Sequence, residues 1–128
     1  MIVYIPMCAD LFHVGHLRAI IQCAKHGEVV VGLVDNHAYK KVIIPYEQRK
    51  EILEAIPEVK MVVKQDGLDF SKNAERVKAD FVASGDGWEE IELEAFKGAD
   101  CRPLDISYCE EQSTTKIKKK IYEQTTQD

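Results

Sequence analysis

The chain has 128 residues, 45% of them hydrophobic, which suits a single domain with a buried core spanning 1–128. Twenty-two acidic residues against seventeen basic ones give a net charge of −5, which argues against a dedicated nucleic-acid binder, because affinity for polyanions rests on clustered Lys and Arg. There is no run of about eighteen uncharged apolar residues, the start MIVYIPMCADLFH lacks the features of a secretory leader, and the four cysteines (Cys8, Cys23, Cys101, Cys109) form no CxxC pair, so no membrane association, zinc ribbon or redox motif is expected and the thiols read as reduced, in a cytosolic protein.

Short apolar runs bounded by turn residues alternate with longer stretches of helical spacing, the pattern of a parallel α/β sheet. In chain order the pattern predicts a strand over Ile2–Pro6, a helix over Val14–Lys25, a strand over Val29–Val34, and a helix over Tyr46–Ala55 closed by Pro57. A strand over Lys60–Val63, a helix over Ser71–Val77, a strand over Phe81–Ser84, a helix over Glu89–Phe96, a strand over Arg102–Ile106 and a helix over Thr114–Tyr122 follow. Gly27 suits a left-handed cap after the first helix, Ser113 suits the N-cap of the last, and Glu123–Asp128 reads as a frayed polar tail.

In an open parallel sheet, ligands bind beyond the carboxyl ends of the strands, so the loops there are the informative ones: Met7–His13, Asp35–Pro45, Lys64–Phe70, Gly85–Trp88 and Ser107–Ser113. His13 and His16, three apart across a helix start with Gly15 between them, can turn toward one face and donate hydrogen bonds to phosphate beside the free N–H groups of the helix. The same spacing also suits two histidines that cap the helix or line a core. Lys40 and Lys41 can reach a triphosphate or form a solvated basic loop; Trp88 can flank a base or ribose, or anchor the core. Ser113-Thr114-Thr115 can form a second phosphate cradle at a helix start, or serve only as a cap, with Lys116, Lys118, Lys119 and Lys120 stabilising the far end of the helix.

Four segments, ADLFHVGHLRAI, YEQRKEIL, GDGW and STTKIKKKI, resemble in order and spacing the small nucleotidyltransferases with an HxGH motif, above all the cytidylyltransferases acting on glycerol 3-phosphate or phosphocholine. The resemblance spans almost the whole chain. It implies an α/β, Rossmann-like nucleotidyltransferase fold, a parallel five-stranded sheet with helices on both faces, usually a homodimer, with Mg2+ accompanying CTP and no metal-ligand set of the protein's own. His13 and His16 would hold the triphosphate and stabilise charge at the α-phosphate, and Lys40 would contact CTP. Cys8, Ala9, Asp10, Gly15, Asp86, Trp88, Gln112, Ser113, Thr114 and Thr115 would complete the nucleotide site, and Lys41 and Lys72 would steer the acceptor phosphate.

Three departures bear on the substrate. The family's first loop reads G-T-F-D where this chain has Met7-Cys8-Ala9-Asp10; an arginine and a glycine of the C-terminal motif are Tyr108 and Glu111; and an arginine after the second helix is Pro57. Tyrosine cannot reproduce the bidentate, permanently charged grip of arginine on phosphate, which leaves Arg102 or Lys97 as spatial substitutes. A glycerol 3-phosphate-type acceptor fits the overall resemblance, while the form Met7-Cys8-Ala9-Asp10-Leu11-Phe12-His13 also resembles cytidylyltransferase domains associated with phosphonate biosynthesis. The competing functions are adenylyl transfer within the same superfamily and a catalytically weak nucleotide-binding or assembly module.

Overall fold

A computed structural model describes residues 1–35, 41–84, 88, 90–97, 99–107 and 111–126. The elements run β1 (Ile2–Met7), α1 (Val14–Ala24), β2 (Glu28–Val34), α2 (Tyr46–Glu54), β3 (Val59–Gln65), α3 (Ser71–Arg76), β4 (Phe81–Ser84), α4 (Glu90–Leu93) continued by a 3₁₀ turn (Glu94–Phe96), β5 (Arg102–Asp105) and α5 (Thr114–Thr126). All five strands are parallel, in the order β3-β2-β1-β4-β5. The chain builds outward from β1 to β3 and then crosses back to place β4 on the other side of β1. The crevice between β1 and β4 is therefore the switch point at which such sheets bind ligands.

Alternation along β1 divides the core. Val3 and Ile5 pack with Ile20 and Cys23 of α1 and Leu53 of α2 on one face, while Tyr4 packs with Val30, Val82 and Ala74 of α3 on the other. Both faces are covered, so β2 reads as an unbroken apolar run, VVVGLV after Glu28, and is buried throughout that run. Gly32 interrupts the run because a Cβ there would lie 1.8 Å from the hydroxyl of Tyr4.

That hydroxyl anchors a buried polar network. It donates to Gln65 Oε1 and accepts from Asn73 Nδ2 at 3.1 Å, while Gln65 Nε2 donates to the carbonyl of Gly67 at 3.1 Å. Burial pushes the Tyr4 phenol up to about 12, against a smaller opposing effect of the Asn73 hydrogen bond.

Three sequence expectations are corrected. Lys64 and Gln65 belong to β3 and pair with Leu33 and Val34, since Gln65 has a buried partner in Tyr4. Gly27 is not left-handed; its small size admits the Met1 carbonyl, which a Cβ would meet at 2.5 Å. Glu123–Thr126 is helical, with the Thr125 and Thr126 hydroxyls donating to the Tyr122 carbonyl at 2.9 and 3.0 Å. Ser113 caps α5 as expected, its Oγ accepting from Lys116 N at 3.0 Å.

Candidate active site

A cavity of about 860 Å³ opens at the carboxyl ends of β1 and β4 and is bordered by the starts of α1 and α5. His13 is the N-cap of α1, and its Nδ1 accepts from Gly15 N at 3.0 Å. His16 turns back so that its Nδ1 accepts from His13 N at 3.1 Å. The rings lie 4.0 Å apart, centroid to centroid. A nitrogen that accepts an N–H carries no proton, so each neutral ring bears its hydrogen on Nε2. The residue between them must be small: a Cβ on Gly15 would lie 2.7 Å from His13 Cε1.

Burial lowers both imidazole pKa values, and His16, further depressed by its neighbour His13, falls to about 4. At neutral pH the site holds two uncharged hydrogen-bond donors at the positive end of a helix. The capping and functional readings of these histidines are thus compatible: Nδ1 caps the helix and Nε2 remains for a ligand.

The start of α5 is held close by several tethers. Thr114 Oγ1 donates to the Asp10 carbonyl at 2.7 Å, and the Gln22 side chain of α1 exchanges two hydrogen bonds with the backbone of Ser107, at 2.8 and 3.2 Å. Arg18 pairs with Glu111 at 2.9 Å across the surface. Gln112, Ser113, Thr114 and Thr115 consequently line the same cavity as His13, Gly15 and His16.

Asp10 is 4% exposed and accepts from Ile43 N and Ile44 N, both at 2.9 Å. Burial alone would raise its pKa, but those two N–H groups, with Lys118 and Arg49, outweigh burial and hold the carboxyl below its usual range. It lines the cavity, yet its oxygens are engaged in fixing the loop before α2. Arg49, 2% exposed, plays a similar part from the other side, with hydrogen bonds to the carbonyls of Cys8, Val34 and Ile44 at 2.7, 2.8 and 2.9 Å. A single guanidinium thereby ties the ends of β1 and β2 to the entry of α2.

The sequence-selected residues Cys8 and Lys41 line the cavity, as does Trp88, which also packs against Phe70 and Phe96. Ala9 is 2% exposed and lies outside the lining, with φ of 53°, the left-handed region that glycine favours and alanine enters only at a cost of about 1–2 kcal/mol. Lys72 sits on the exposed side of α3, whose buried face is set by Ala74, and is not brought to the cavity. Lys40 and Asp86 lie outside the described residues, as do Gly85, Gly87 and Tyr108.

Neither Arg102 nor Lys97 substitutes for the missing arginines. Arg102 begins β5, at the end of the strand away from the cavity, and Lys97 pairs with Glu94 at 2.9 Å. The cations in the lining are Lys41, Lys116 and Lys118, and Lys118 Nζ stands 3.9 Å from Asp10 Oδ2. From the sequence alone the α5 lysines read as partners of the helix dipole. Their spacing was the available signal, because Thr115 and Lys118, three apart, share a helical face. Gln65, Phe70 and Glu92 also line the cavity and belong to no motif legible in the sequence. Among the described residues no three His, Cys, Asp or Glu side chains are grouped to hold a metal ion, and no helix is long and apolar enough to cross a membrane.

An open parallel sheet with two phosphate-suited helix starts converging at its switch point is an arrangement that suits a nucleotidyltransferase. The chain belongs to the cytidylyltransferase-like family, whose model matches residues 4–120. It is 29% identical over 119 residues to the glycerol-3-phosphate cytidylyltransferase of Staphylococcus aureus, covering 88% of this chain and 89% of that protein. It is 32% identical over 124 residues to the FAD synthase of Ferroglobus placidus, covering 88% of this chain and 82% of that protein. A lipopolysaccharide core biosynthesis protein from Thermoplasma volcanium superimposes with a TM-score of 0.76 at 24% identity, covering 86% of this chain and 98% of that one, which establishes the Rossmann-like fold.

Proposed function

We propose that this nucleotidyltransferase moves a cytidylyl group from CTP to a phosphorylated or phosphonylated small molecule, releasing pyrophosphate. The observation that carries the reading is the convergence of His13, Gly15 and His16 at the start of α1 with Gln112–Thr115 at the start of α5, on one cavity, with Lys118 at its wall. The two helix starts offer N–H groups and hydroxyls to a triphosphate, and the Nε2–H groups of the two histidines meet charge that develops on the α-phosphate oxygens.

An acceptor oxygen attacks the α-phosphorus, forming the new P–O bond, while the bond from that phosphorus to the bridging oxygen breaks and its electron pair leaves with pyrophosphate. The protein's contribution is positioning and preorganised donors. Lys41, Lys116 and Lys118 supply positive charge to the phosphates, Lys40 is assigned to CTP, and Asp86 and Trp88 are assigned to the nucleotide site on the strength of the family motifs. Mg2+ accompanies CTP in this reading; with no clustered carboxylates among the described residues, and both Asp10 oxygens taken by backbone N–H groups, it would be held chiefly by the phosphates and would supply charge neutralisation there. Homodimeric assembly belongs to the same reading and is checked by light scattering.

The GDGW and STT motifs favour CTP. The relatives named FAD synthase favour the second reading, transfer of an adenylyl group. Calorimetric titration with CTP and with ATP separates the two. Binding of CTP at least about tenfold tighter, a difference of about 1.4 kcal/mol, supports cytidylyl transfer, and preference for ATP replaces it with adenylyl transfer.

A further inference from the structure

None of the residues of α5 is buried, so the place of its first turn leans on polar contacts with its neighbours. Thr114 makes one of these from within the cavity, to the Asp10 carbonyl. Further contacts come from one face of α1. Gly15, Arg18 and Gln22, spaced by three and four positions, share that face, and the described residues of the connection from β5 to α5 lie along it in reverse order. A Cβ on Gly15 would stand 3.3 Å from the Gln112 carbonyl oxygen, Arg18 pairs with Glu111, and Gln22 meets Ser107.

These contacts differ in strength. The Arg18–Glu111 pair joins side chains that are 47% and 71% exposed, where solvent screens it. Gln22 is half-buried and uses both ends of its amide: Oε1 accepts from Ser107 N at 2.8 Å and Nε2 donates to the Ser107 carbonyl at 3.2 Å. That is what a neighbouring strand offers an extended residue. β5 is an edge strand, and among the described residues its last bond to β4 is made by Ile106 N, which donates to the Ser84 carbonyl. At the next residue the Gln22 amide takes over and fixes the point at which the chain leaves the sheet for α5. Ser107 lines the cavity; Gln22 does not.

We infer that Gln22 is a positioning residue for the triphosphate: by holding Ser107 it sets the start of α5 against the start of α1, and with it the grip on a ligand that must touch both. The inference rests on the nucleotidyl-transfer reading above and names a group outside the cavity that sets its phosphate site. Glutamine is what the position needs, since asparagine carries the same amide one methylene short and glutamate brings only acceptors where one donor is required. A nucleoside triphosphate spans the two helix starts; a nucleoside monophosphate, with a single phosphate, does not.

The test is calorimetric titration of the intact chain with CTP and Mg2+, with CMP read by displacement of CTP; if ATP binds the wild type more tightly, ATP and AMP take their places. In Gln22→Met, of similar length but with neither donor nor acceptor, the Kd for CTP is expected to rise about fivefold or more, as the loss of two hydrogen bonds allows, while that for CMP stays within about twofold. Ser107 is exposed, so water replaces the lost bonds and the variant keeps its fold, which thermal denaturation checks. Gln22→Glu, which keeps the acceptor for Ser107 N and loses the donor to its carbonyl, is expected to show the same contrast. Equal losses for CTP and CMP would make Gln22 a residue of general stability, and unchanged CTP binding would make its clamp irrelevant to the ligand; either result overturns the inference and leaves nucleotidyl transfer standing. A wild-type protein that binds neither CTP nor ATP overturns the nucleotidyl-transfer reading and the inference with it.

Discussion

His16 accepts the backbone N–H of His13 through Nδ1 at 3.1 Å, so the ring that faces the cavity also closes the first turn of its own helix. The two duties can be separated by substitution. In His16→Asn the amide oxygen stands near the position of Nδ1 and preserves the cap, but the donor at Nε2 is lost. Turnover is expected to fall about a hundredfold or more, the usual cost of one preorganised donor, with a melting temperature close to wild type. Steady-state pyrophosphate release and thermal denaturation of the same sample check both halves.

The depressed histidines make stability depend on pH in a definite direction. His16 stays neutral in the folded protein down to about 4, while in the unfolded chain it takes up a proton from its ordinary 6.5 downward. The unfolded state therefore binds more protons in that window. The stability contributed is fully present above pH 6.5 and is lost as pH falls toward 4, by up to about 3 kcal/mol. His13 acts in the same direction, and Asp10, held below its usual range, adds a second loss at more acid pH. Urea midpoints at pH 7.5 and 5.0 should differ in wild type and differ less in His16→Asn; equal wild-type midpoints would refute the assignment.

Asp10→Asn tests the loop anchor. The carboxylate faces two N–H donors, from Ile43 and Ile44, whereas an amide offers one oxygen and opposes the other donor with its own NH2. A loss of about 1–3 kcal/mol is expected, with faster amide hydrogen exchange at Ile43 and Ile44.

Arg49 makes a parallel case from inside the structure. Arg49→Met leaves the carbonyls of Cys8, Val34 and Ile44 without their donor, an expected cost of about 2–4 kcal/mol, and Arg49→Lys cannot span the three acceptors. Both variants should bind CTP more weakly, as measured by calorimetry, because the loop after β1 loses its tether.

On the alkaline side Tyr4 and Cys23, both pushed up to about 12 by burial, act in the same direction. The stability Tyr4 contributes is complete below pH 10 and lost as pH rises from 10 toward 12, and that of the Cys23 thiol is lost from pH 9 upward. Tyr4→Phe should reduce that dependence without abolishing it, and also leave the buried Gln65 short of a donor, costing about 1–3 kcal/mol at neutral pH in a denaturant melt.

The strands, the helix starts and the two phosphate-suited segments were legible in the sequence because each has a local cause. Runs of β-branched residues, a cap at Ser113 and a glycine between two histidines all act within a few positions. What was not legible depends on distant partners. Gln65 extends β3 because Tyr4, 61 positions away, accommodates it; Gly27 is required by Met1 and not by a turn; and Lys118 reaches the cavity wall because Thr114 fastens α5 to Asp10. Phe70 and Glu92 carry no motif, and only the fold gathers them with Trp88. Arg49 stood inside a recognised motif, and its part emerged only with the three carbonyls it joins.

The central claim concerns the bonds made and broken, and phosphorus NMR of one reaction mixture reads them directly. With CTP, Mg2+ and a phosphorylated or phosphonylated acceptor, the account expects pyrophosphate and a CDP-linked product (or its phosphonate counterpart) to appear in equal amounts, and both to disappear in His16→Asn. Nucleotide hydrolysis with no acceptor incorporated, or a product that forms from ATP and not from CTP, would contradict it.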